Sequence, residues 1–101
     1  MVKSEFLLAI NKKLPDLPIG DVELAINCML NQMITTLIQG ERIEIRGFGR
    51  FVLRQRSPRL ARNPKTGEAV SLPAKVSVHF KPGKEMSNRV DANRGQYRIT
   101  D

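Results

Sequence analysis

At Gly40 the spacing of the apolar residues changes from the period of a helix to the period of a strand. Before Gly40, apolar residues recur every three or four positions, which predicts a short helix from Ser4 to Leu14 and a longer helix from about Ile19 to Gln39. Prolines at positions 15 and 18 indicate a turn between the two helices. Gly40 is suited to end the second helix, because glycine readily adopts the positive φ that closes many helices.

After Gly40 the chain alternates strictly between polar and apolar residues. In the first predicted strand, Ile43 and Ile45 would face a core. Arg42, Glu44 and Arg46 would then lie together on the opposite face of that strand.

The remaining segments predict two more strands and a third helix. A Gly-Phe-Gly turn at 47–49 precedes a strand over residues 50–56, and the alternation of Val76, Val78 and Phe80 predicts the returning strand. A short helix is expected over residues 84–90. The predicted fold class is α+β: two N-terminal helices, a three-stranded antiparallel sheet with a long protruding β-ribbon arm, and a short C-terminal helix.

A basic segment, residues 54–67, lies between the second and third strands and contains no acid. Its cationic residues are Arg54, Arg56, Arg59, Arg62 and Lys65. The segment has too few large apolar residues for a core of its own, and Asn-Pro-Lys-Thr-Gly at 63–67 is typical of a reversing turn. We therefore predict an arm over about residues 54–75 that reaches a polyanion, with DNA as the leading candidate.

Positive charge is concentrated in the second part of the chain. The formal net charge is +7, but residues 1–40 sum to −1 and residues 41–101 sum to +8. This asymmetry indicates a scaffold part and a ligand-binding part. The alternative is a basic face that is merely solvated.

The apolar stripe on the second helix is too wide for one short partner helix to cover. A chain of 101 residues buries only about two-thirds of its unfolded surface, so burial between two copies is a natural supplement. The predicted dimer core consists of Ile26, Leu30, Met33, Leu37, Phe48 and Phe51.

Other functional classes find little support in the sequence. The single cysteine, Cys28, predicts a buried thiol and a reducing compartment. No apolar run is long enough for a signal peptide or a membrane span, so we expect a cytosolic protein with no membrane partner. His79, the only histidine, has no cysteine or acidic cluster near it in sequence. We therefore expect no enzyme activity, metal, cofactor or small-molecule substrate.

Pro64 lies at the tip of the predicted arm, and its residue type leaves two roles open. A thin basic hairpin fits the narrow minor groove of DNA, where arginines meet a negative potential. An apolar ring at the tip can press between two base pairs, unstack them and kink the duplex. Alternatively, Pro64 only shapes the turn, and its chemistry favours neither role.

Three motifs together resemble the bacterial HU and integration host factor family over about residues 1–91. They are Gly-Phe-Gly-Arg-Phe at 47–51, Arg-Asn-Pro-Lys-Thr-Gly at 62–67 and Phe-Lys-Pro-Gly-Lys-Glu at 80–85. Residues 39–49 resemble the β-subunit lineage of integration host factor more than they resemble HU. The resemblance implies two intertwined chains whose arms embrace double-stranded DNA, a proline at each tip that intercalates, and roles in nucleoid organisation, recombination and transcription.

The resemblance also implies which residues contact DNA. An arginine held by an acidic neighbour on the face of the first strand would read a minor-groove site, and lysines near the third helix would meet flanking phosphates. The predicted DNA-binding residues are Arg42, Glu44, Arg46, Arg54, Arg56, Arg59, Arg62, Asn63, Pro64, Lys65, Lys81 and Lys84, of which Pro64 intercalates.

Two features depart from the family pattern. Ala61 stands where a glycine is usual, which leaves the curvature of the arm open. The tail is longer than expected, and Arg94 and Arg98 within it are further candidates for phosphate contacts. We predict a single DNA-binding domain over residues 1–93 and a flexible tail over residues 94–101.

Two alternatives to a sequence-preferring protein of the integration host factor β type stay open. One is an HU-like homodimer that is indifferent to sequence. The other is an RNA-binding protein, which the absence of exposed aromatic residues for base stacking argues against. The sequence does not distinguish an identical partner chain from a paralogous α subunit.

Overall fold

The structure, a computed structural model, describes residues 1–100, so Asp101 at the end of the predicted tail lies outside the described residues. The chain divides into two compact units, Met1–Gln39 and the part that begins at Gly40. In the first unit, α1 spans Lys3–Lys13 and α2 spans Ile19–Ile38. Gly40 has a φ of 82°, which confirms the predicted stop after the second helix.

Helix α2 is apolar on more sides than its own chain covers. Val22 and Ile26 are buried, at 3% and 7% exposure. Met29, Leu30 and Ile34 remain 63%, 43% and 55% exposed. The described chain therefore leaves much of the predicted apolar stripe open to solvent. Among the described helices, none has the length and apolar character to cross a bilayer.

The prediction that Cys28 is buried is wrong, because Cys28 is exposed in the structure. Cys28 follows Ile26 by two positions, which places it on nearly the opposite side of the helix from that buried residue. The apolar neighbours Leu24 and Met29 do not cover it, since both are themselves exposed.

Within its described residues, the second unit contains five strands and one helix. The strands are β1 Ile43–Ile45, β2 Gly49–Arg56, β3 Arg59–Arg62, β4 Ala69–Leu72 and β5 Lys75–Pro82, and the helix is α3 Lys84–Ala92. Strands β1, β2 and β5 form an antiparallel sheet in the order β1-β2-β5, which confirms the predicted three-stranded sheet. Strands β3 and β4 form a second, two-stranded antiparallel sheet.

One face of the three-stranded sheet is apolar. Phe51 on β2 is paired with Phe80 on β5, and the centroids of their rings lie 4.7 Å apart. Phe48, in the turn between β1 and β2, lies 5.6 Å from Phe80 between ring centroids. Farther along β5, Val76 and Val78 are 58% and 55% exposed. The apolar face is therefore open to solvent at this end of the strand.

The predicted ribbon is interrupted by two prolines that lie opposite each other. The ladder between β2 and β5 ends at the pair Arg56 and Lys75, and the ladder between β3 and β4 begins at Arg59 and Leu72. Two residues separate the ladders on each strand, so both ladders share one register, in which Pro58 opposes Pro73. Because neither proline has an N–H to donate, the ladder cannot form there.

Candidate nucleic-acid interface

The second face of the three-stranded sheet carries most of its positive charge. Directly paired residues of neighbouring antiparallel strands point to the same face. Glu44 is paired with Arg50, and Arg50 is in turn paired with Lys81. Farther along, Arg56 is paired with Lys75. We call this side of the sheet the basic face; its charged residues on the three strands are Glu44, Arg50, Arg54, Arg56, Lys75 and Lys81.

Sequence reasoning missed two members of the basic face, Arg50 and Lys75. A signal for Arg50 was present, because it stands at an even spacing from Arg54 and Arg56 in one strand and so points the same way. Lys75 could be assigned only from the register, since its side depends on which residue of β2 it opposes.

Glu44 forms an ion pair with one of its two arginine neighbours. Its Oε1 lies 3.3 Å from the Nη2 atom of Arg42, and both side chains are more than half exposed. An exposed pair of this kind contributes under about 1 kcal/mol to stability. Among the described residues, Arg46 makes no ion pair, so the acidic neighbour holds Arg42 and not Arg46.

A groove of about 870 Å³ opens beside the start of α3. Arg46, Arg50, Lys81 and Lys84 line it, with Glu44 as the single acid. The first turn of α3 leaves backbone N–H groups without helical partners, and these groups favour anions. The groove therefore places four cations where a phosphate of a passing backbone would be stabilised.

The arm carries its cations on an ordered ladder. Arg56 Nε donates a hydrogen bond to Ser77 Oγ at 3.1 Å, which restrains that guanidinium against the neighbouring strand. Ala61 is paired with Val70 in the regular ladder between β3 and β4, so the missing glycine is accommodated without a bulge at that position. Arg59 and Leu60 are exposed, Leu60 by 76%.

The tip of the arm is a closed loop from Asn63 to Glu68. The backbone N–H of Asn63 donates to the carbonyl of Glu68 at 2.9 Å, and that of Gly67 donates to the carbonyl of Asn63 at 2.7 Å. The side-chain oxygen of Asn63 accepts a third hydrogen bond from the N–H of Lys65 at 2.9 Å. Pro64 is exposed and follows directly on this anchored residue.

The predicted dimer-core residues fall into three groups by exposure. Ile26 is already buried within its own chain, whereas Met33, Leu37 and Phe51 are half-buried. Leu30 and Phe48 are 43% and 44% exposed, so they are the members with the most surface left for a second chain.

The tail candidates behave differently from one another. Arg94 Nη1 lies 2.8 Å from the Oδ1 atom of Asp91, so one of the two predicted tail cations is already paired with an acid. Arg98 is exposed and makes no ion pair within residues 1–100. Tyr97 beside it is 77% exposed, so the expectation that the chain has no exposed aromatic residue is wrong. Within residues 1–100, no cluster of His, Cys, Asp and Glu side chains is arranged to hold a metal ion.

Comparisons with known proteins agree on one family. Residues 1–91 match the family model described as "Bacterial DNA-binding protein". The chain is 57% identical over 94 residues to integration host factor subunit beta of Alkalilimnicola ehrlichii, covering 93% of this chain and 94% of that one. It is 56% identical over 93 residues to the corresponding subunit of Hahella chejuensis, covering 92% and 95%.

Among solved structures, the fold is similar to HU from Anabaena in a cocrystal structure with DNA. The TM-score is 0.79 at 30% identity, and the match covers 89% of this chain and 97% of that one. An HU variant from Thermotoga maritima matches with a TM-score of 0.65 at 28% identity, covering 89% and 99%. These matches confirm the predicted resemblance, and the chain belongs to the HU and integration host factor family of bacterial DNA-binding proteins.

Proposed function

We propose that this chain is a subunit of the integration host factor β type, which bends DNA by inserting the ring of Pro64 at the tip of its arm. The observation that carries the proposal is the exposed Pro64 on a loop closed by its own hydrogen bonds, at the end of a ribbon rich in arginine. An apolar wedge needs such a presentation, because base pairs must be unstacked by a group that does not itself need hydrogen-bond partners.

The arm and the groove beside α3 would contact different parts of the DNA. Arginines 54 to 62 follow the minor groove, where they meet a negative potential that is strongest in narrow A·T tracts. Lys81 and Lys84, in the groove beside α3, hold phosphates of the flanking duplex after it has been bent. Nucleoid organisation, recombination and transcription are the processes that such bending serves, and the bacterial nucleoid is the proposed location.

A second chain is part of the proposed assembly. Met29, Leu30 and Ile34 on α2 leave apolar surface that it would cover, and so do Val76 and Val78 on the sheet. Curated relatives are named as beta subunits, which supports a heterodimer with a paralogous alpha subunit. A homodimer uses the same apolar surface twice, and native mass spectrometry of the complex from its own cells distinguishes the two.

The family to which the chain belongs consists of DNA-binding proteins and not of enzymes, as the sequence predicts. His79 lies on β5 opposite Val52 and is half-buried, with neither a nucleophile nor an acid as its cross-strand partner. The proposed activity is therefore mechanical, and it requires no cofactor.

Replacing Pro64 with alanine tests the wedge. The arm keeps its cations, so much of the non-specific affinity should remain, but a methyl group covers less of the exposed base faces and the bend should decrease. Unstacking costs a few kcal/mol per step and is offset by the protein surface that bent DNA can reach. Affinity for linear DNA should therefore fall more than affinity for nicked or pre-bent DNA.

The measurement is fluorescence energy transfer between the ends of a short duplex, at saturating concentrations of protein. Pro73→Ala is a matched control, since it removes a proline from the same arm away from the tip. If the Pro64 variant bends the duplex as strongly and binds as tightly as the unmodified protein, the wedge role is refuted and Pro64 only shapes the turn.

Arg46→Ala should chiefly reduce the preference between DNA sequences. Arg46 directly follows β1 and lines the groove at α3, and an arginine inserted into the minor groove senses its width. We expect about a tenfold loss on a preferred site, within the 1–3 kcal/mol of a typical base-dependent contact, and a smaller loss on random duplex. Competition binding at one fixed salt concentration checks this. Equal losses on both duplexes would favour an HU-like protein that is indifferent to sequence.

A further inference from the structure

We propose that Asn63 is a positioning residue, which acts by holding the tip loop in the shape that presents Pro64, and not by contacting DNA itself. This inference rests on the proposed wedge function of Pro64. It concerns the part of the arm where a small change in geometry has the largest effect, because a wedge must meet the edge of one base-pair step.

Three of the polar groups of Asn63 are already used inside the loop. Its N–H donates to the carbonyl of Glu68 at 2.9 Å, and its carbonyl accepts from the N–H of Gly67 at 2.7 Å. Its side-chain oxygen accepts from the N–H of Lys65 at 2.9 Å, which forms a turn across Pro64. This hydrogen bond is made before DNA arrives, and it fixes the orientation of the Asn63 side chain.

The residues on either side complete the same loop. Arg62 Nη1 donates to the carbonyl of Gly67 at 3.2 Å, and Thr66 Oγ1 accepts from the N–H of Glu68 at 3.3 Å. Gly67 has a φ of 73°, in the region that favours glycine, so the chain can reverse there without strain. The loop is thus closed by its own side chains and backbone.

A tip loop that is closed before binding lowers the entropy cost of bending DNA. Ordering a flexible loop at the moment of binding costs conformational entropy, which subtracts from the free energy available for unstacking. Because the loop is closed in the free protein, the ring of Pro64 is already exposed when the protein meets the base step. Loss of the turn should therefore weaken bending even when every positive charge is kept.

Two uncharged variants separate positioning from contact. Asn63→Gln keeps the amide group but moves it one methylene farther out, so the turn to Lys65 is lost while a DNA contact remains within reach. Asn63→Ser removes the amide but keeps a short hydroxyl that closes the same type of turn, more weakly. The positioning role predicts that Asn63→Ser bends DNA more strongly than Asn63→Gln.

The first readout is amide hydrogen exchange of Lys65 in the free protein. We expect exchange to rise by about threefold to tenfold in Asn63→Gln, as for one lost hydrogen bond, and to rise less in Asn63→Ser. The second readout is the energy transfer between the ends of a bound duplex, which in Asn63→Gln should fall toward the value of Pro64→Ala. Unchanged far-ultraviolet circular dichroism shows that each variant is folded.

Two results would overturn the inference. Asn63→Gln could match the unmodified protein in both readouts, which would mean that the turn is not needed. Alternatively, Asn63→Gln could bend DNA better than Asn63→Ser, which would assign Asn63 a direct contact. Failure of the unmodified protein to bend DNA is a separate result that defeats the proposed function, and the exchange rates of the free protein still report on the loop in that case.

Discussion

Replacing both Arg54 and Arg56 with alanine should weaken DNA binding at about 0.1 M salt by roughly 60-fold in a heterodimer and by about a thousandfold or more in a homodimer. Both residues lie on the basic face, and Arg56 is also restrained by its hydrogen bond to Ser77. Each phosphate contact adds about 0.9 to the slope of log K against log salt. Two lost contacts should make the slope shallower by about 1.8 in a heterodimer, and four lost contacts should make it shallower by about 3.6 in a homodimer. Titrations at several salt concentrations measure both quantities.

The control removes the same charge from another part of the chain. Lys12 and Lys13 are exposed cations in the last turn of α1, and replacing both with alanine lowers the net charge equally. If binding depends on net charge alone, the two double variants will lose the same affinity and show the same salt slope. That result would contradict a DNA-binding site localised on the basic face, and it would favour the alternative that the basic face is merely solvated.

Replacing Leu30 with glutamate should abolish the dimer and, with it, most of the folded structure. Leu30 is 43% exposed on α2, beside other apolar residues that the chain leaves open. A second chain covering this surface would have to bury the carboxylate, at a cost of several kcal/mol per ion, twice in a homodimer. Because an obligate dimer gains stability from association, thermal unfolding of the unmodified protein should depend on protein concentration, and the variant should lose this dependence.

Sedimentation at micromolar concentration measures the assembly directly, and the unmodified protein should show twice the mass of the chain. Leu24→Glu is the control: Leu24 is 71% exposed, and it lies roughly 120° around the helix from Leu30. That variant should remain dimeric. A Leu30→Glu protein that sediments and melts like the unmodified one would exclude this part of α2 from the interface.

Much of this fold could be predicted from the sequence, because its elements follow from local spacing. The two N-terminal helices and the strand alternation after Gly40 match the structure within a few residues, since the period of apolar residues is set by each element alone. The exposure of Cys28 could not be predicted in the same way. Apolar neighbours in sequence do not establish that a residue points toward a core.

The faces of the arm were harder to predict, because they depend on register. Centring the turn on Lys65 would place Pro58 opposite Leu72, whereas the structure closes the loop between Asn63 and Glu68 and places Pro58 opposite Pro73. A shift of one residue moves every side chain of one strand relative to its partners. The position of Lys75 and the paired prolines therefore appear only once the hydrogen bonds of the tip are known.

The unbroken register across the proline pair limits how arms of this kind can change in length. Deleting one residue from one strand would misalign β3 and β4, the ladder beyond the proline pair. Deleting one residue from each strand would keep β3 and β4 paired but would move each of their side chains to the opposite face of the ribbon. Only removal or insertion of two residues in each strand keeps every side chain on its face. Each such step changes the reach of the arm by about 6.6 Å, close to the rise of two base pairs. Arm length is thus expected to vary among related chains in steps that match the spacing of the DNA steps available for kinking.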